Sequence, residues 1–196
     1  MRNDTIYFAK VDSSKETIMP TKRDEDAGFD IYANFEEDYM IIQPHETKMI
    51  PTNLASAFSE DYVAILKERG STGSKGIAQR CGVIDSGYRN EWFVPLANLN
   101  DKTLVIVKNN IEYSIEEIKG NKSFISYGYR MKLKNTNGEY NFIANEKGFI
   151  VYPYEKAITQ VVMAVVPKLH TEEVSYEKLL NFESERGMGK LGSSNK

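Results

Sequence analysis

Between Tyr39 and Leu66 the chain breaks into short apolar runs with turn-forming residues between them. The runs are Tyr39-Met40-Ile41-Ile42, Thr47-Lys48-Met49-Ile50, Leu54-Ala55-Ser56-Ala57-Phe58 and Tyr62-Val63-Ala64-Ile65-Leu66. Gln43-Pro44, Pro51 and Ser59-Glu60-Asp61 separate them. Short strands at this spacing, with few helix-length periodic segments, argue for an antiparallel β sandwich or barrel. The same reading extends outward. Thr5 to Val11 alternates as a first strand, Asp12 to Asp26 is a polar loop around Pro20, and Ala27-Gly28-Phe29-Asp30-Ile31-Tyr32 is a strand entered through a small-residue pair. Ala157 to Val166 is the most apolar run and reads as a central strand, with Gln160 its only large polar side chain.

With 196 residues, the chain is expected to form one domain, or one domain carrying an insertion. A net charge of -3 gives no electrostatic case for direct nucleic-acid binding or for an anionic membrane surface. A phosphate-bearing ligand then needs a local cluster of donors. One cysteine, Cys81, excludes an internal disulfide framework and fits a reducing, cytoplasmic setting. No apolar run reaches membrane-spanning length, and Met1-Arg2-Asn3-Asp4-Thr5 has no signal-peptide pattern. Two histidines and one cysteine argue against a His/Cys zinc site, whereas a hard cation held by carboxylates and phosphates is compatible.

Chemistry is concentrated in four places. Gly82-Val83-Ile84-Asp85-Ser86-Gly87-Tyr88-Arg89-Asn90-Glu91 reads as a hairpin with Ser86-Gly87 near its tip. Asp85 so placed suits a general base, and free backbone groups beside it suit the edge of a flat heterocycle. The same residues also describe a surface hairpin whose aspartate shapes the turn. Arg69-Gly70-Ser71-Thr72-Gly73-Ser74-Lys75-Gly76 offers glycines, hydroxyls and two cations to an anion, or is a polar turn. Gln160, in so apolar a run, needs partners and reads as a core amide satisfied by backbone. The tail from Arg186 to Ser194, with its glycines, serines and two basic residues, suits a flexible arm closing over phosphate.

From Asp101 to about Tyr152 the chain is β-like but polar and rich in Asn and Lys. Asn137-Gly138 between alternating runs predicts a hairpin, and Asn110 to Lys119 is read as a short helix.

Taken in order, Ala27-Gly28-Phe29-Asp30, Arg69-Gly70-Ser71-Thr72, Gly82 to Arg89, Ile158-Thr159-Gln160 and Arg186 to Ser194 resemble the five motifs of the trimeric dUTPases. The resemblance covers residues 26–98 and 153–194. It implies an all-β, distorted jelly-roll subunit in a homotrimer with active sites shared between chains, hydrolysing dUTP to dUMP and pyrophosphate with Mg²⁺. On that reading Asp85 is the general base and Tyr88 packs under the deoxyribose. Gln79, Gly82 and Ile84 are substrate-binding residues, with uracil read by the backbone of the hairpin, and Asp30 holds the metal through water. Arg69, Gly70, Ser71, Thr72 and Gln160 surround the phosphates. Arg186, Leu191, Gly192, Ser193 and Ser194 form the closing arm.

The pattern departs from the family at four points and in one insertion. Gly70 replaces a usual serine, so Ser71 or Thr72 must supply the hydroxyl. Asn90 replaces a glycine, and Tyr154-Glu155-Lys156 replaces Gly-Asp-Arg. Leu191 stands where a phenylalanine usually stacks on uracil, so that role is assigned to Phe93, with Trp92 second. The segment 101–152 is an insertion within the single domain 1–196, and 183–196 is its arm. Similar insertions occur in dUTPases of phages of Gram-positive bacteria, which implies a phage or prophage origin and a regulatory protein partner as an additional role. The competing expectations are a dCTP deaminase-like enzyme of the same fold and a non-catalytic interaction scaffold.

Overall fold

The computed structural model describes residues 4–118, 128–135, 138–185 and 188. Its strands, in chain order, are β1 (Tyr7–Lys10), β2 (Gly28–Ile31), β3 (Tyr39–Ile42), β4 (Thr47–Pro51), β5 (Leu54–Ala57), β6 (Tyr62–Lys67), β7 (Ile77–Gln79) and β8 (Val83–Ile84). After these come β9 (Phe93–Asn98), β10 (Thr103–Val107), β11 (Glu112–Ile118), β12 (Gly128–Asn135), β13 (Gly138–Ala144), β14 (Phe149–Pro153) and β15 (Thr159–Val165). Two short helical segments, α1 (Gly70–Gly73) and α2 (Tyr176–Leu180), complete the set. The chain falls into two compact units, Met1–Val166 and Pro167–Lys196. No helix among the described residues is long and apolar enough to cross a membrane.

All the strands lie in the first unit. They form sheets ordered β1-β5, β2-β15-β6-β8, β4-β9-β7, β14-β10-β3 and β11-β12-β13. Every pairing is antiparallel except that of β10 with β14. Alternate residues of the first four sheets meet in one core that includes Ile31, Ile42, Ile50, Leu54, Leu66, Trp92, Leu96, Leu104, Ile106, Ile158 and Val161. This is the period-2 burial that short amphipathic strands dictate.

Strand β10 departs from that alternation: Thr103-Leu104-Val105-Ile106-Val107 is buried at every position. Leu104 and Ile106 enter the main core, while Val105 and Val107 join a second cluster with Ile111, Met131 and Leu133. Register explains the second cluster. Tyr113 and Ile115 of β11 stand opposite Leu133 and Met131 of β12, which in turn face Tyr140 and Phe142 of β13. One face of this three-stranded meander is therefore apolar. Its residues pack with Tyr39, Ile41, Phe149 and Val151, which belong to β3 and β14 on either side of β10. Complete burial of Met131 and Leu133 stabilises this layer by about 1.5–3 kcal/mol each.

Three expectations change. Within the stretch expected to be a helix, Glu112–Ile118 is a strand, because Tyr113 and Ile115 pair as strand positions in β11. The segment 101–152 mixes two kinds of strand: β10 and β14 sit in the sheet with β3, while only β11, β12 and β13 form the added layer. Ser86-Gly87 does form a turn, closed by Tyr88 N–H donating to Asp85 O at 3.1 Å. Its flanks, however, do not pair with each other. β8 pairs with β6, and β9 pairs with β4 and β7. Burial of Trp92 takes the chain after the turn into a different sheet.

The second unit contains α2, whose first turn is capped by Ser175 Oγ accepting from Lys178 N–H at 3.1 Å. The expectations at Arg186, Leu191, Gly192 and Ser193 lie outside the described residues.

Candidate active site

Asp30, Gly70, Ser71, Arg69 and Gln160 line one open cavity of about 700 Å³. Asp30 on β2 stands directly opposite Gln160 on β15, and Gln160 in turn opposes Lys67 at the end of β6. Three adjacent strand ends thus converge. Arg69 follows immediately and precedes α1. Thr72 fixes that turn: its hydroxyl accepts from Arg69 N–H at 3.2 Å and donates to Arg69 O at 3.1 Å.

The Arg69 guanidinium is held on two sides. Nε meets Asp30 Oδ1 at 2.9 Å and Nη2 donates to Asp30 Oδ2 at 3.1 Å, a bidentate pair. Nη1 reaches Ser71 Oγ at 3.3 Å and Ala157 O at 3.4 Å. Both partners of the ion pair are partly exposed, so its net stabilisation is on the order of 1 kcal/mol. Its main effect is orientation, because a long, flexible side chain is held in one pose at the cavity wall, with one of its five N–H donors left over by these four contacts.

Gln160 Nε2 donates to Glu68 O at 2.9 Å. Close approach of β2 makes this geometry possible, since a Cβ on Gly28 would lie 3.0 Å from Gln160 Oε1. The Gln160 amide is thus satisfied by backbone, and the residue also lines the cavity. Thr72 is different: it is buried with its hydroxyl engaged by Arg69 backbone, and Ser71 is the hydroxyl that reaches the cavity.

Asp85 and Tyr88 lie elsewhere on the chain. β8 is the far edge strand of the sheet in which β2 is the other edge. Both residues are exposed. Their loop is braced by Tyr88 Oη donating to Glu91 O at 3.0 Å and by the Arg89 guanidinium, which donates to Ser86 O, Tyr88 O and Ser56 O. Glu91 anchors the far side, with Oε1 accepting from Thr52 N–H at 3.1 Å and Asn53 N–H at 2.6 Å. Gln79 supports the entry to β8, its amide donating to Arg80 O at 2.5 Å and Cys81 O at 2.8 Å. Gly82 and Ile84 carry the β8 backbone alongside β6, and Leu66 N–H donates to Gly82 O at 2.7 Å. Phe93 is 42% exposed, whereas Trp92 is fully buried among core residues, which removes Trp92 as a stacking surface.

Sequence reasoning passed over several residues at the cavity. Lys22, Arg23 and Asp26 belong to its lining. Arg23 grips Asp26 through Nε at 2.9 Å and Nη2 at 2.8 Å, and this holds the Asp26 carboxyl below its usual range. Their Lys-Arg-Asp cluster in the loop before β2 was the available signal. Tyr152 Oη donates to Ala157 O at 2.7 Å. Burial pushes the Tyr152 phenol up, although the Arg69 charge and hydrogen bonding from Ser71 and Arg69 pull the other way. Among the described residues no group of three or more His, Cys, Asp or Glu side chains is placed to hold a metal ion.

Comparison with known proteins bears on the family and the fold. A sequence profile described as dUTPase matches residues 14–110. The deoxyuridine 5'-triphosphate nucleotidohydrolase of Leptospira interrogans is 31% identical over 105 residues, spanning 52% of this chain and 70% of that protein. The Pol polyprotein of an ovine maedi visna related virus is 38% identical over 101 residues, 52% of this chain but only 9% of the polyprotein. Among solved structures, the Staphylococcus bacteriophage 80alpha dUTPase with dUPNHPP superposes with a TM-score of 0.62 at 22% identity, over 98% of this chain and 99% of that one. An aspartate-to-asparagine variant of the dUTPase from phage phi11 of S. aureus, described with a coordinated structural Mg(II) ion, gives a TM-score of 0.54 at 20% identity over 87% and 97% of the two chains. The structural likeness defines the class: an all-β subunit with the dUTPase fold. The sequence match to the Leptospira protein goes further, and the chain belongs to the dUTPase family.

Proposed function

We propose that this chain hydrolyses dUTP to dUMP and pyrophosphate at sites shared between copies of itself in a homotrimer. One observation carries the reading. The cavity gathers Asp30 from edge strand β2, Gln160 from β15, and Arg69 and Ser71 from just beyond β6, whereas the Asp85–Tyr88 loop follows the opposite edge strand, β8. Three strand spacings put Asp30 and Asp85 roughly 14 Å apart laterally, which favours a site that takes the two carboxylates from different chains.

In the proposed site, the cavity of one subunit holds the triphosphate. Arg69 donates to phosphate oxygens from the pose Asp30 imposes, with Ser71 and Gln160 beside it. The neighbour's loop supplies Asp85, which aligns a water and takes its proton as the water oxygen bonds to the α-phosphorus. The bond between the α-phosphorus and the bridging oxygen breaks, and pyrophosphate leaves with the electron pair. Negative charge grows on the phosphate oxygens, so positioned cations and N–H donors are the main source of rate. Tyr88 bears on the deoxyribose. The backbone at Gly82 and at Ile84 reads uracil, so cytosine would present mismatched donors and acceptors there. Phe93 is the exposed aromatic for stacking on the base.

The donor set suits Mg²⁺. Asp30 presents a hard oxygen to the cavity, and a magnesium ion there would be bound largely by substrate phosphates and water, with Asp30 as outer support. Bound magnesium would neutralise charge developing on the phosphates. The arm, 183–196, is proposed to close the site. The domain assignment follows the same reading: a single dUTPase domain, with the added layer lying inside 101–152.

The direct test is pyrophosphate release from dUTP with Mg²⁺ by the unaltered protein and by Asp85→Asn, with dCTP and UTP alongside. Rapid release from dUTP alone, abolished in the variant, is expected. Ammonia from dCTP would point to the deaminase, and an inactive unaltered protein would point to a scaffold.

A further inference from the structure

We infer that Tyr152 is a positioning residue for the phosphate-binding arginine, acting through the Ala157 carbonyl. This rests on reading the cavity as the polyphosphate site. Tyr152 lies on β14, within the stretch that sequence composition assigned to the insertion, and is 2% exposed. Its phenol donates to Ala157 O at 2.7 Å, and Arg69 Nη1 reaches the same oxygen at 3.4 Å. The same Arg69 Nη1 also reaches Ser71 Oγ at 3.3 Å. One buried hydroxyl is therefore linked through a single carbonyl to Arg69, which caps α1, and through Arg69 to Ser71.

The arrangement splits the work on Arg69 between two neighbouring strands of one sheet, with Tyr152 reaching in from another. Asp30 on β2 fixes Nε and Nη2. Ala157, just before β15, faces Nη1. The Nη1 contact is long, and the Ala157 carbonyl can hold that distance only while its own position is set. The short bond from Tyr152 sets it. Burial keeps the phenol protonated, so the bond persists at neutral pH. Lys75 Nζ lies 5.8 Å over the ring of the same tyrosine. Replacement by phenylalanine keeps that ring contact and the core packing, and removes only the hydroxyl.

The test uses the full-length protein in four forms: unaltered, Tyr152→Phe, Arg69→Lys and the double variant. Each is assayed for dUTP turnover and for affinity toward inorganic tripolyphosphate and toward deoxyuridine, which has no phosphate. Tyr152→Phe is expected to lower kcat/KM and tripolyphosphate affinity about tenfold, with deoxyuridine affinity and melting temperature nearly unchanged. In the Arg69→Lys background the same change is expected to have little further effect, because its target is already gone. Additive losses, a parallel loss of deoxyuridine affinity, or unaltered tripolyphosphate affinity in Tyr152→Phe would each overturn the inference. Absence of dUTP turnover in the unaltered protein would overturn the reading of the reaction instead, and the tripolyphosphate measurements would still decide the role of Tyr152.

Discussion

Asp30 lies on β2 and Asp85 directly follows β8, and these are the two edge strands of one sheet, separated by β15 and β6. Neither carboxylate can approach the other by side-chain rotation. Each already has a local setting: Asp30 is clasped by Arg69, and Asp85 opens a turn closed by Tyr88.

A shared site predicts complementation. Asp30→Ala and Asp85→Asn should each be inactive alone. Mixed subunits should recover about a quarter of full activity, because in random assembly a site draws an intact cavity and an intact loop from different chains half the time each. Turnover measured after joint unfolding and refolding checks this, and no recovery would place both residues in one subunit's site.

Phe93 should contribute to base binding and little to folding. Being 42% exposed, it can be cut to alanine with a small change in melting temperature, while KM for dUTP is expected to rise roughly three- to tenfold from lost stacking. Tyr113→Ala, on the meander, serves as the distant comparison. A KM change no larger than that of Tyr113→Ala would remove Phe93 from the site.

Gly82 and Gly70 should respond oppositely to a side chain. A Cβ at Gly82 would lie 2.6 Å from Leu66 O, which is backbone and cannot swing away. Gly82→Ala is therefore expected to cost about 1–3 kcal/mol and to lower kcat/KM by displacing β8. At Gly70 nothing lies within 4 Å of the added atom. Gly70→Ser should fold as well as the parent and hold triphosphate at least as tightly. Thermal melts and dUTP kinetics on both variants check the contrast.

Acid should loosen the meander through Glu116. Lys132, at 3.3 Å, and then Arg130, at 3.1 Å, hold its carboxyl below the ordinary value of 4.5. A carboxyl lowered in the folded state adds stability that is present above the unfolded pKa and lost as pH falls through the folded one. The melting-temperature difference between the unaltered protein and Glu116→Gln should thus be present at neutral pH and close as pH drops below the usual carboxylate range. A difference that persists in acid would mean packing, not charge, is responsible. Because Glu116 is well exposed, the effect should be small and salt-sensitive.

Local pattern made much of the fold legible. Each apolar run between Tyr39 and Leu66 became a strand, and Gln160 sits on a central one as its surroundings suggested. Pairing was harder, because it depends on residues far apart in the chain. Ser86-Gly87 announced a turn, but nothing local could say that Val83 would seek Ile65 while Phe93 sought Pro51. The stretch Glu112 to Ile118 misled because three glutamates favour helix on composition, whereas Tyr113 and Ile115 on one face carry the strand period. At the site, Asp30, Arg69 and Ser71 were visible as residue types. Tyr152 was not, since its partner is a backbone carbonyl that leaves no mark in sequence.

The two-faced burial of β10 constrains how such a chain can be altered. Val105 and Val107 look outward from the main core and are dry only because Met131 and Leu133 cover them. Excising β11 to β13 would uncover an apolar stripe on a sheet, an invitation to self-association. The added layer and the strand beneath it are thus a matched pair. A shortened version that stays soluble must also carry polar replacements at positions 105 and 107.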